Sequence, residues 1–201
     1  MSISTETCIE RKEIMKGHVL HVTVDKVSID DGQGGAQTTS TREVVWHNGA
    51  CAIVPVTDDG KIILVRQYRY AAALAMLEVP AGKIEHDGES PDLCAARELE
   101  EETGFKAGDM KFLGFVYTSP GFCNERIYLY LATNLQKGEQ HLDEDEFMNL
   151  EYYTPEEVED LIDSNEIVDA KTIANFHTAM KYLAKHSREG YSCNTSEVSS
   201  S

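Results

Sequence analysis

The segment from Ser90 to Gly104 constrains the fold of this chain most, because both of its ends carry helix signals. The Ser90 hydroxyl can accept a hydrogen bond from a free backbone N–H at a helix start, and Pro91 suits the first helical position because it has no N–H to leave unpaired. Gly104 can take the left-handed conformation that ends a helix. The sequence therefore predicts a helix over 91–103.

This helix carries its carboxylates on one face. With about 100° of rotation per residue, an arc of about 100° contains Glu98, Glu101 and Glu102. Carboxylates three and four positions apart repel one another, so the group favours a compensating cation. Mg²⁺ suits such oxygen ligands, because it is commonly shared between one or two carboxylates and substrate phosphates. The alternative is an ordinary solvated helix face.

The wider spacing favours the metal-binding interpretation. Gly82 is followed by six residues, Glu89, seven residues and then the run Arg97-Glu98-Leu99-Glu100-Glu101-Glu102-Thr103-Gly104-Phe105. This string strongly resembles the Nudix box, in which five residues separate the glycine from the first glutamate. The chain therefore has one extra residue, and it falls in the turn before the helix.

The resemblance implies a role for each charged residue of the box. Glu98, Glu101 and Glu102 would be ligands of Mg²⁺, or of Mn²⁺, together with the backbone carbonyl of Ala81, and Glu101 and Glu102 would also take part in catalysis. Arg97 would instead tie the preceding loop to the helix, because family members use the matching arginine in that way.

Further stretches resemble the ADP-ribose pyrophosphatase subgroup of the family. Pro120 lies in a Ser-Pro-Gly turn sixteen positions after Gly104, where that subgroup has a proline, and residues 65–69 and 77–83 are also similar to it. An ordinary turn is the alternative for the Pro-Gly pair. The resemblance implies Mg²⁺-dependent hydrolysis of the diphosphate bond of ADP-ribose to AMP and ribose 5-phosphate.

Two other functions stay open at this point. Other nucleoside diphosphate sugars are alternative substrates for the same chemistry. A non-catalytic sensor that binds a nucleotide sugar and controls a partner is the alternative from another class. The complete set of Glu98, Glu101 and Glu102 favours the enzyme, since a sensor has no need of all three.

Candidate substrate contacts lie on both sides of the box. Arg66 and Arg69 have paired donors that suit phosphates, and Glu78 can accept a hydrogen bond from a ribose hydroxyl. Pro120 and Glu125 belong to the predicted substrate loop. The alternative for Arg66 is a charge on a strand surface.

The resemblance also implies a general base, supplied in this subgroup by a glutamate on a late acidic loop. That loop covers residues 141–147. We predict Glu146 as the base because it directly precedes a strand-like run, and Glu144 is the alternative. A solvated acidic loop is the other interpretation of these carboxylates, because charge runs usually face water.

The order of elements resembles a Nudix-type α/β/α sandwich, an α/β fold with a central mixed sheet and an amino-terminal strand region. Apolar patterns predict a strand or hairpin over 15–29 and strands over 41–46, 50–56, 61–69, 76–80, 111–118, 126–133 and 150–153. Residues 30–40 are rich in Gly, Gln, Thr and Ser, which predicts a loop. Helices are predicted over 155–165 and 169–184.

Three regions follow from this order. Residues 1–43 form the amino-terminal strand region, residues 44–186 the Nudix hydrolase domain and residues 187–201 a flexible tail. The subgroup is typically a homodimer in which the amino-terminal strands cross onto the partner, so the resemblance implies a homodimer here.

Composition limits the partners and the compartment. With 18 basic and 35 acidic residues, the net charge of -17 argues against nucleic-acid binding, which depends on Lys and Arg. No run approaches the roughly 20 apolar residues that a membrane helix needs. Five scattered cysteines fit reduced thiols, and the first residues lack signal-peptide features. We therefore expect a cytoplasmic protein that binds no nucleic acid and no membrane. Its partner, as the resemblance implies, would be a small nucleoside diphosphate sugar.

Overall fold

The computed structural model describes residues 3–32, 37–85, 88–142 and 147–189. In chain order, the elements are strands β1 Thr5–Lys16, β2 His21–Asp30, β3 Thr38–Trp46, β4 Ala50–Pro55, β5 Ile62–Arg69, β6 Leu74–Glu78 and β7 Ala81–Lys83, helix α1 Pro91–Thr103, strands β8 Phe105–Tyr117, β9 Arg126–Lys137 and β10 Met148–Tyr153, and helices α2 Pro155–Asp163 and α3 Ala170–Glu189. Two compact units result, Met1–Gly49 with Tyr117–Arg126 and Ala50–Val116 with Ile127–Ser201.

The first unit contains an antiparallel sheet with the strand order β1-β2-β3. Strand β2 confirms the predicted strand or hairpin over 15–29 only in part, because its partner β1 begins much earlier, at Thr5, and the turn between them lies at residues 17–20. Every residue of β1 is exposed, so no buried face marks this strand in the sequence. The predicted loop over 30–40 is too long, because β3 begins at Thr38.

The segment from Tyr117 to Arg126 belongs to the first unit because its backbone pairs with β3. The Val45 N–H donates to the Phe122 carbonyl at 2.8 Å, and the Asn124 N–H donates to the Val45 carbonyl at 3.2 Å. This segment contains the predicted substrate loop.

The second unit contains two sheets. One is antiparallel, with the order β10-β5-β6, and the other has the order β7-β4-β9-β8. The latter is mixed, because β4 pairs parallel with β9 and antiparallel with β7. The prediction of an α/β fold with a mixed sheet is confirmed. The additional antiparallel sheet forms because β5 pairs with β6 and β10.

Strand β4 shows how helices cover both faces of the mixed sheet. Alternate residues, Ala52 and Val54 among them, pack in a cluster that includes Val158 of α2 and Phe176 of α3. The intervening Cys51 and Ile53 pack with Cys94, Ala95 and Leu99 of α1. Since successive strand residues point to opposite faces, β4 lies between α1 on one side and α2 with α3 on the other.

Local signals define the two late helices well. Thr154 caps α2 in a capping box with Glu157, as its position before Pro155 predicts. Asp169 caps α3 by accepting from the Thr172 N–H at 2.9 Å. Helix α3 continues to Glu189, beyond the predicted end at 184. None of the described helices has the length and apolar character needed to cross a membrane.

Candidate active site

Helix α1 has the predicted ends. The Ser90 hydroxyl accepts from the Leu93 N–H at 3.3 Å, and Pro91 occupies the first turn. Gly104 has a φ of 71° and donates its N–H to the Glu100 carbonyl at 2.8 Å. Both ends are fixed by local bonds, so the carboxylates between them have a defined register.

Arg97 lies at the centre of the box and contacts three of its carboxylates. Its Nε donates to Glu89 at 3.0 Å, and its Nη1 donates to Glu98 at 2.7 Å and to Glu101 at 2.9 Å. Its Nη2 donates to the Lys83 carbonyl at 3.1 Å. The prediction that Arg97 ties the preceding loop to the helix is therefore confirmed.

The electrostatics of this cluster, Arg97 with Glu89, Glu98 and Glu101, are unbalanced, because one guanidinium faces three carboxylates. Burial acts to lower the pKa of Arg97, but the hydrogen bonds to Glu89 and Glu101 and the charge of Glu98 hold that pKa above its ordinary value. The arginine stays charged, and an excess of negative charge remains around it.

Gly82 makes room for the first predicted metal ligand. Glu98 is only 8% exposed, and its carboxylate lies against the Gly82 backbone where a Cβ would stand. Any side chain at position 82 would overlap these atoms. The glycine of the box is thus explained by the close approach of a carboxylate rather than by an unusual backbone angle.

Glu102 forms a hydrogen bond with Ala81, the residue before Gly82 in β7. Its Oε2 accepts from the Ala81 N–H at 3.0 Å, and Glu102 is 3% exposed. Ala81 pairs with Ala52 of β4, so the sheet fixes its backbone. The structure therefore brings Ala81, Glu98 and Glu102 to the junction of β7 with α1.

The donor set at this junction suits a hard divalent cation, because it consists of carboxylate oxygens and backbone carbonyls. Within the described ranges, no three His, Cys, Asp or Glu side chains are arranged as a cation site. Glu98 and Glu101 instead share the Nη1 group of Arg97. The carboxylate and carbonyl oxygens at this junction are ligands that suit Mg²⁺ or Mn²⁺.

The first residue of the acidic loop and the residue before it are bonded to the end of α1. Gln140 Nε2 donates to the Glu102 carbonyl at 2.6 Å, and the His141 N–H donates to the Glu101 carbonyl at 3.0 Å. These bonds satisfy carbonyls that a helix end leaves without partners. The predicted base Glu146 and its alternative Glu144 lie outside the described residues.

Arg69 and Glu78, two predicted substrate residues, are paired with each other. Arg69 donates from Nε to Oε1 at 2.9 Å and from Nη2 to Oε2 at 2.7 Å. Lys171 also donates to Glu78, and it contacts Asp169 at 2.9 Å. Burial acts to raise the pKa of Glu78, but the Arg69 hydrogen bonds and the Lys171 charge hold that pKa below its ordinary value.

Arg66 has a separate partner on the neighbouring strand. Its Nε and Nη2 donate to Glu151 at 2.5 and 3.1 Å, and the Tyr153 hydroxyl donates to the same carboxylate. These hydrogen bonds raise the pKa of Arg66, against the effect of burial. The pair links β5 to β10, which is the strand-surface role considered as the alternative.

Pro120 and Glu125 lie in the first unit. Pro120 lines a pocket of about 440 Å³ together with the aromatic residues Trp46, Tyr117 and Phe122. Glu125 accepts from the Thr118 hydroxyl at 2.7 Å and lies 3.7 Å from His47 Nδ1.

The comparisons with known proteins agree with this geometry. The family model described as the NUDIX domain matches residues 46–176, which include α1 and the Arg97 cluster. The chain belongs to the Nudix family. The predicted family is thereby confirmed.

Two curated relatives match this Nudix protein over more than four fifths of its length, each at 42% identity. One is the methanol dehydrogenase activator of Bacillus methanolicus, over 180 residues covering 89% of this chain and 92% of that protein. The other is the ADP-ribose pyrophosphatase of Bacillus subtilis, over 169 residues covering 83% of this chain and 88% of that protein. An ADP-ribose pyrophosphatase of Mycobacterium tuberculosis is 42% identical over 137 residues, or 67% and 66% of the two chains.

A solved structure confirms the predicted fold class. A crystal structure of an ADP compounds hydrolase matches with a TM-score of 0.78 over 94% of this chain and 99% of that one, at 24% identity. The Nudix-type α/β fold therefore extends over most of the chain.

Sequence reasoning missed the contact that α3 makes with the predicted substrate residue Glu78. Lys171 contacts Glu78, which lies 93 positions earlier in the chain, so no local pattern joins them. One signal in the sequence was the position of Lys171 in the first turn of a predicted helix. The helix dipole disfavours a cation there, so a nearby carboxylate is expected to compensate. Gln140, whose side chain donates to the Glu102 carbonyl, was also missed, and the sequence has no comparable signal for it.

Proposed function

We propose that this Nudix protein hydrolyses the diphosphate bond of ADP-ribose to AMP and ribose 5-phosphate, with Mg²⁺ and alternatively with Mn²⁺. The observation that carries the proposal is the Arg97 cluster, in which Glu89, Glu98 and Glu101 surround one guanidinium on the helix of the NUDIX match. The two relatives named ADP-ribose pyrophosphatase support the choice of substrate.

The metal ligands would be Glu98, Glu101, Glu102 and the carbonyl of Ala81. When bound, the ion supplies positive charge that neutralises the diphosphate and the leaving phosphate. Arg97 holds Glu98 and Glu101 through one shared nitrogen and thereby limits their movement. An acidic protein with a net charge of -17 needs such local positive charge to accept a diphosphate.

The chain's own residues would move the proton and orient the substrate. Glu146, with Glu144 as the alternative, would accept a proton from the attacking water. Arg69 would donate to a phosphate from the guanidinium edge that Glu78 does not use, and Arg66 is the second candidate of this kind.

Pro120 and Glu125 are the proposed substrate contacts of the first unit, and Pro120 lines the pocket described above. The aromatic rings of Trp46, Tyr117 and Phe122 in that pocket can stack on a base, since every base has a π-face. Glu125 is the proposed polar contact of the same loop.

We also propose a cytoplasmic homodimer. Strand β1 lies at one edge of its sheet, and all of its residues are exposed, including Ile9 and Ile14. Such an edge is a template for pairing with another chain. Sedimentation equilibrium should give twice the chain mass of 22.4 kDa. A monomer at micromolar concentration would contradict the proposed homodimer.

The relative from Bacillus methanolicus favours a second candidate function, the activation of another enzyme. It matches this chain at the same identity as the pyrophosphatase of Bacillus subtilis and over a larger share of both chains. A protein of this kind would bind a nucleotide or nucleotide sugar and control a partner, with or without hydrolysis.

The experiment is turnover on a substrate panel. The purified protein is incubated with Mg²⁺ and ADP-ribose, ADP-glucose, GDP-mannose, NADH or diadenosine polyphosphates, and the products are separated by chromatography. AMP and ribose 5-phosphate formed chiefly from ADP-ribose are the expected result. Preference for another substrate would overturn the ADP-ribose assignment, and tight binding without turnover would favour the second candidate.

A further inference from the structure

Arg69 is the most exposed member of a charged network that reaches the first turn of α3. Its side chain is 41% exposed, compared with 12% for Lys171, 18% for Asp169 and 1% for Glu78. The network contains two cations and two carboxylates. It therefore offers mainly one group, the Arg69 guanidinium, to a ligand from solvent.

Glu78 sets the orientation of that guanidinium. The pairing is bidentate, through Nε and Nη2 to the two carboxylate oxygens. Two parallel bonds fix the plane of the guanidinium as well as its position. These bonds use one edge of the group, and no residue that the structure describes accepts from Nη1 on the other edge, where an oxygen-rich ligand can bind.

Helix α3 in turn holds Glu78. Lys171 Nζ donates to Glu78 Oε2 and to Asp169 Oδ2, and Asp169 accepts from the Thr172 N–H at 2.9 Å and from its hydroxyl at 2.6 Å. The backbone beside Glu78 is held as well, since the Val79 N–H donates to the Thr172 hydroxyl at 3.0 Å. The first turn of α3 therefore defines both the carboxylate and its backbone.

Stability does not explain the network of Arg69, Glu78, Lys171 and Asp169. Lys171 stands in the first turn of a helix, where the dipole disfavours a cation. Burial of Glu78 and Lys171 removes both charges from water, and well-packed apolar residues commonly replace such pairs without loss of stability. The cost is understandable if the network has to keep Arg69 in one orientation.

We propose that Lys171 is a positioning residue for diphosphate binding: it fixes Glu78, and Glu78 fixes Arg69. This proposal rests on the proposed function, because the ligand of Arg69 is the substrate diphosphate. Lys171 does not contact the diphosphate itself and acts only through Glu78 and Arg69. Through Lys171, helix α3 is one of the elements that determine substrate affinity.

The test compares Lys171→Met and Lys171→Arg with Lys181→Met, an exposed lysine on the same helix, as the control. One readout is the Nε–H signal of Arg69 in nuclear magnetic resonance spectra, assigned through its loss in Arg69→Lys. The other is kcat and KM for ADP-ribose hydrolysis with Mg²⁺. A double variant, Lys171→Met with Arg69→Lys, measures the coupling between the two positions.

Lys171→Met should shift or broaden the Arg69 signal and raise KM about 10-fold, with kcat changed less than about 3-fold. Lys171→Arg should restore both readouts, and the double variant should be no worse than Arg69→Lys alone. An unchanged Arg69 signal in folded Lys171→Met, or KM effects that multiply in the double variant, would overturn the proposal.

A further variant covers the case in which Lys171→Met does not fold. Asp169→Asn keeps an oxygen for Thr172 but removes the charge beside Lys171, so it should produce a smaller change of the same kind, and no change in the Arg69 signal would count against the proposal. If the wild-type protein does not hydrolyse ADP-ribose, the proposed function fails. The Arg69 signal still decides whether Lys171 positions Arg69.

Discussion

Two arginine networks in the second unit differ in charge balance. Arg97 faces three carboxylates on and beside α1, whereas Arg69 shares its network with one further cation and two carboxylates. Both arginines are held by several hydrogen bonds, and both have a raised pKa. The Arg97 cluster keeps an excess of negative charge, and the Arg69 network does not.

The difference in charge balance matches the two roles that we propose for these networks. An excess of carboxylates is electrostatically unfavourable until another cation arrives, so the Arg97 cluster suits metal binding. A balanced network has no such need, and its rigidity suits the orientation of one exposed group. The following variants test this division.

The largest expected effect is that of Glu101→Gln. This change removes one carboxylate from the unbalanced cluster, and we expect kcat to fall about 1,000-fold with ADP-ribose and Mg²⁺. The fold should persist, because the glutamine oxygen can still accept from Arg97 and the Glu101 side chain is partly exposed.

The control for this prediction is Glu100→Gln, on the same helix. Glu100 pairs with Lys106 at 3.1 Å instead of Arg97, so its variant should keep the wild-type rate within about 2-fold. Wild-type turnover by Glu101→Gln would remove the metal-site assignment.

Glu146→Gln should lower kcat about 300-fold while metal binding persists, because a general base contributes to proton transfer and not to the ligand set. Metal binding can be followed with Mn²⁺ by electron paramagnetic resonance. Full activity of Glu146→Gln together with loss of activity in Glu144→Gln would show that the alternative glutamate is the base.

Gly82→Ala should lower kcat about 100-fold, because the added methyl group displaces the Glu98 carboxylate from its place. The melting temperature should change little, since the atoms that must move are the end of a flexible side chain. Gly17→Ala is the matched control, because its Cβ would meet only ordinary contact. If Gly82→Ala retained full activity, the position of Glu98 would be irrelevant to catalysis.

The smallest expected effect concerns acid stability. The pKa of Glu78 is held below its ordinary value in the folded protein, so its charge adds stability at pH values above the ordinary pKa. This stability is lost as pH falls below the ordinary pKa and through the lowered pKa of the folded protein. Thermal melts between about pH 6 and pH 3 should show a shallower loss for Glu78→Gln than for the wild type. Parallel curves for the two proteins would contradict the assigned network.

The sequence predicted elements whose causes are local. Helix α1 has its predicted bounds because Ser90, Pro91 and Gly104 act within one turn of the ends. The capped start of α2 at Thr154 was predicted for the same reason. The glutamates of α1 were predicted from spacing on one helix and from the resemblance to the Nudix box.

Elements that depend on distant partners were missed or misplaced. Strand β1 is exposed throughout and is defined by pairing with β2. Strand β8, at the edge of its sheet beside β9, begins at Phe105 and has no buried residue that would mark it in the sequence. Lys171 was missed because its partner Glu78 lies 93 positions away.

The central claim is that the unbalanced Arg97 cluster binds a divalent metal for hydrolysis of ADP-ribose. The most direct test measures AMP and ribose 5-phosphate from ADP-ribose in the wild type and in Glu101→Gln, with Mg²⁺ and again with excess chelator. We predict equal amounts of both products from the wild type with Mg²⁺ alone, and almost none in the other three samples. Product formation at the wild-type rate with chelator, or by Glu101→Gln, would contradict the account.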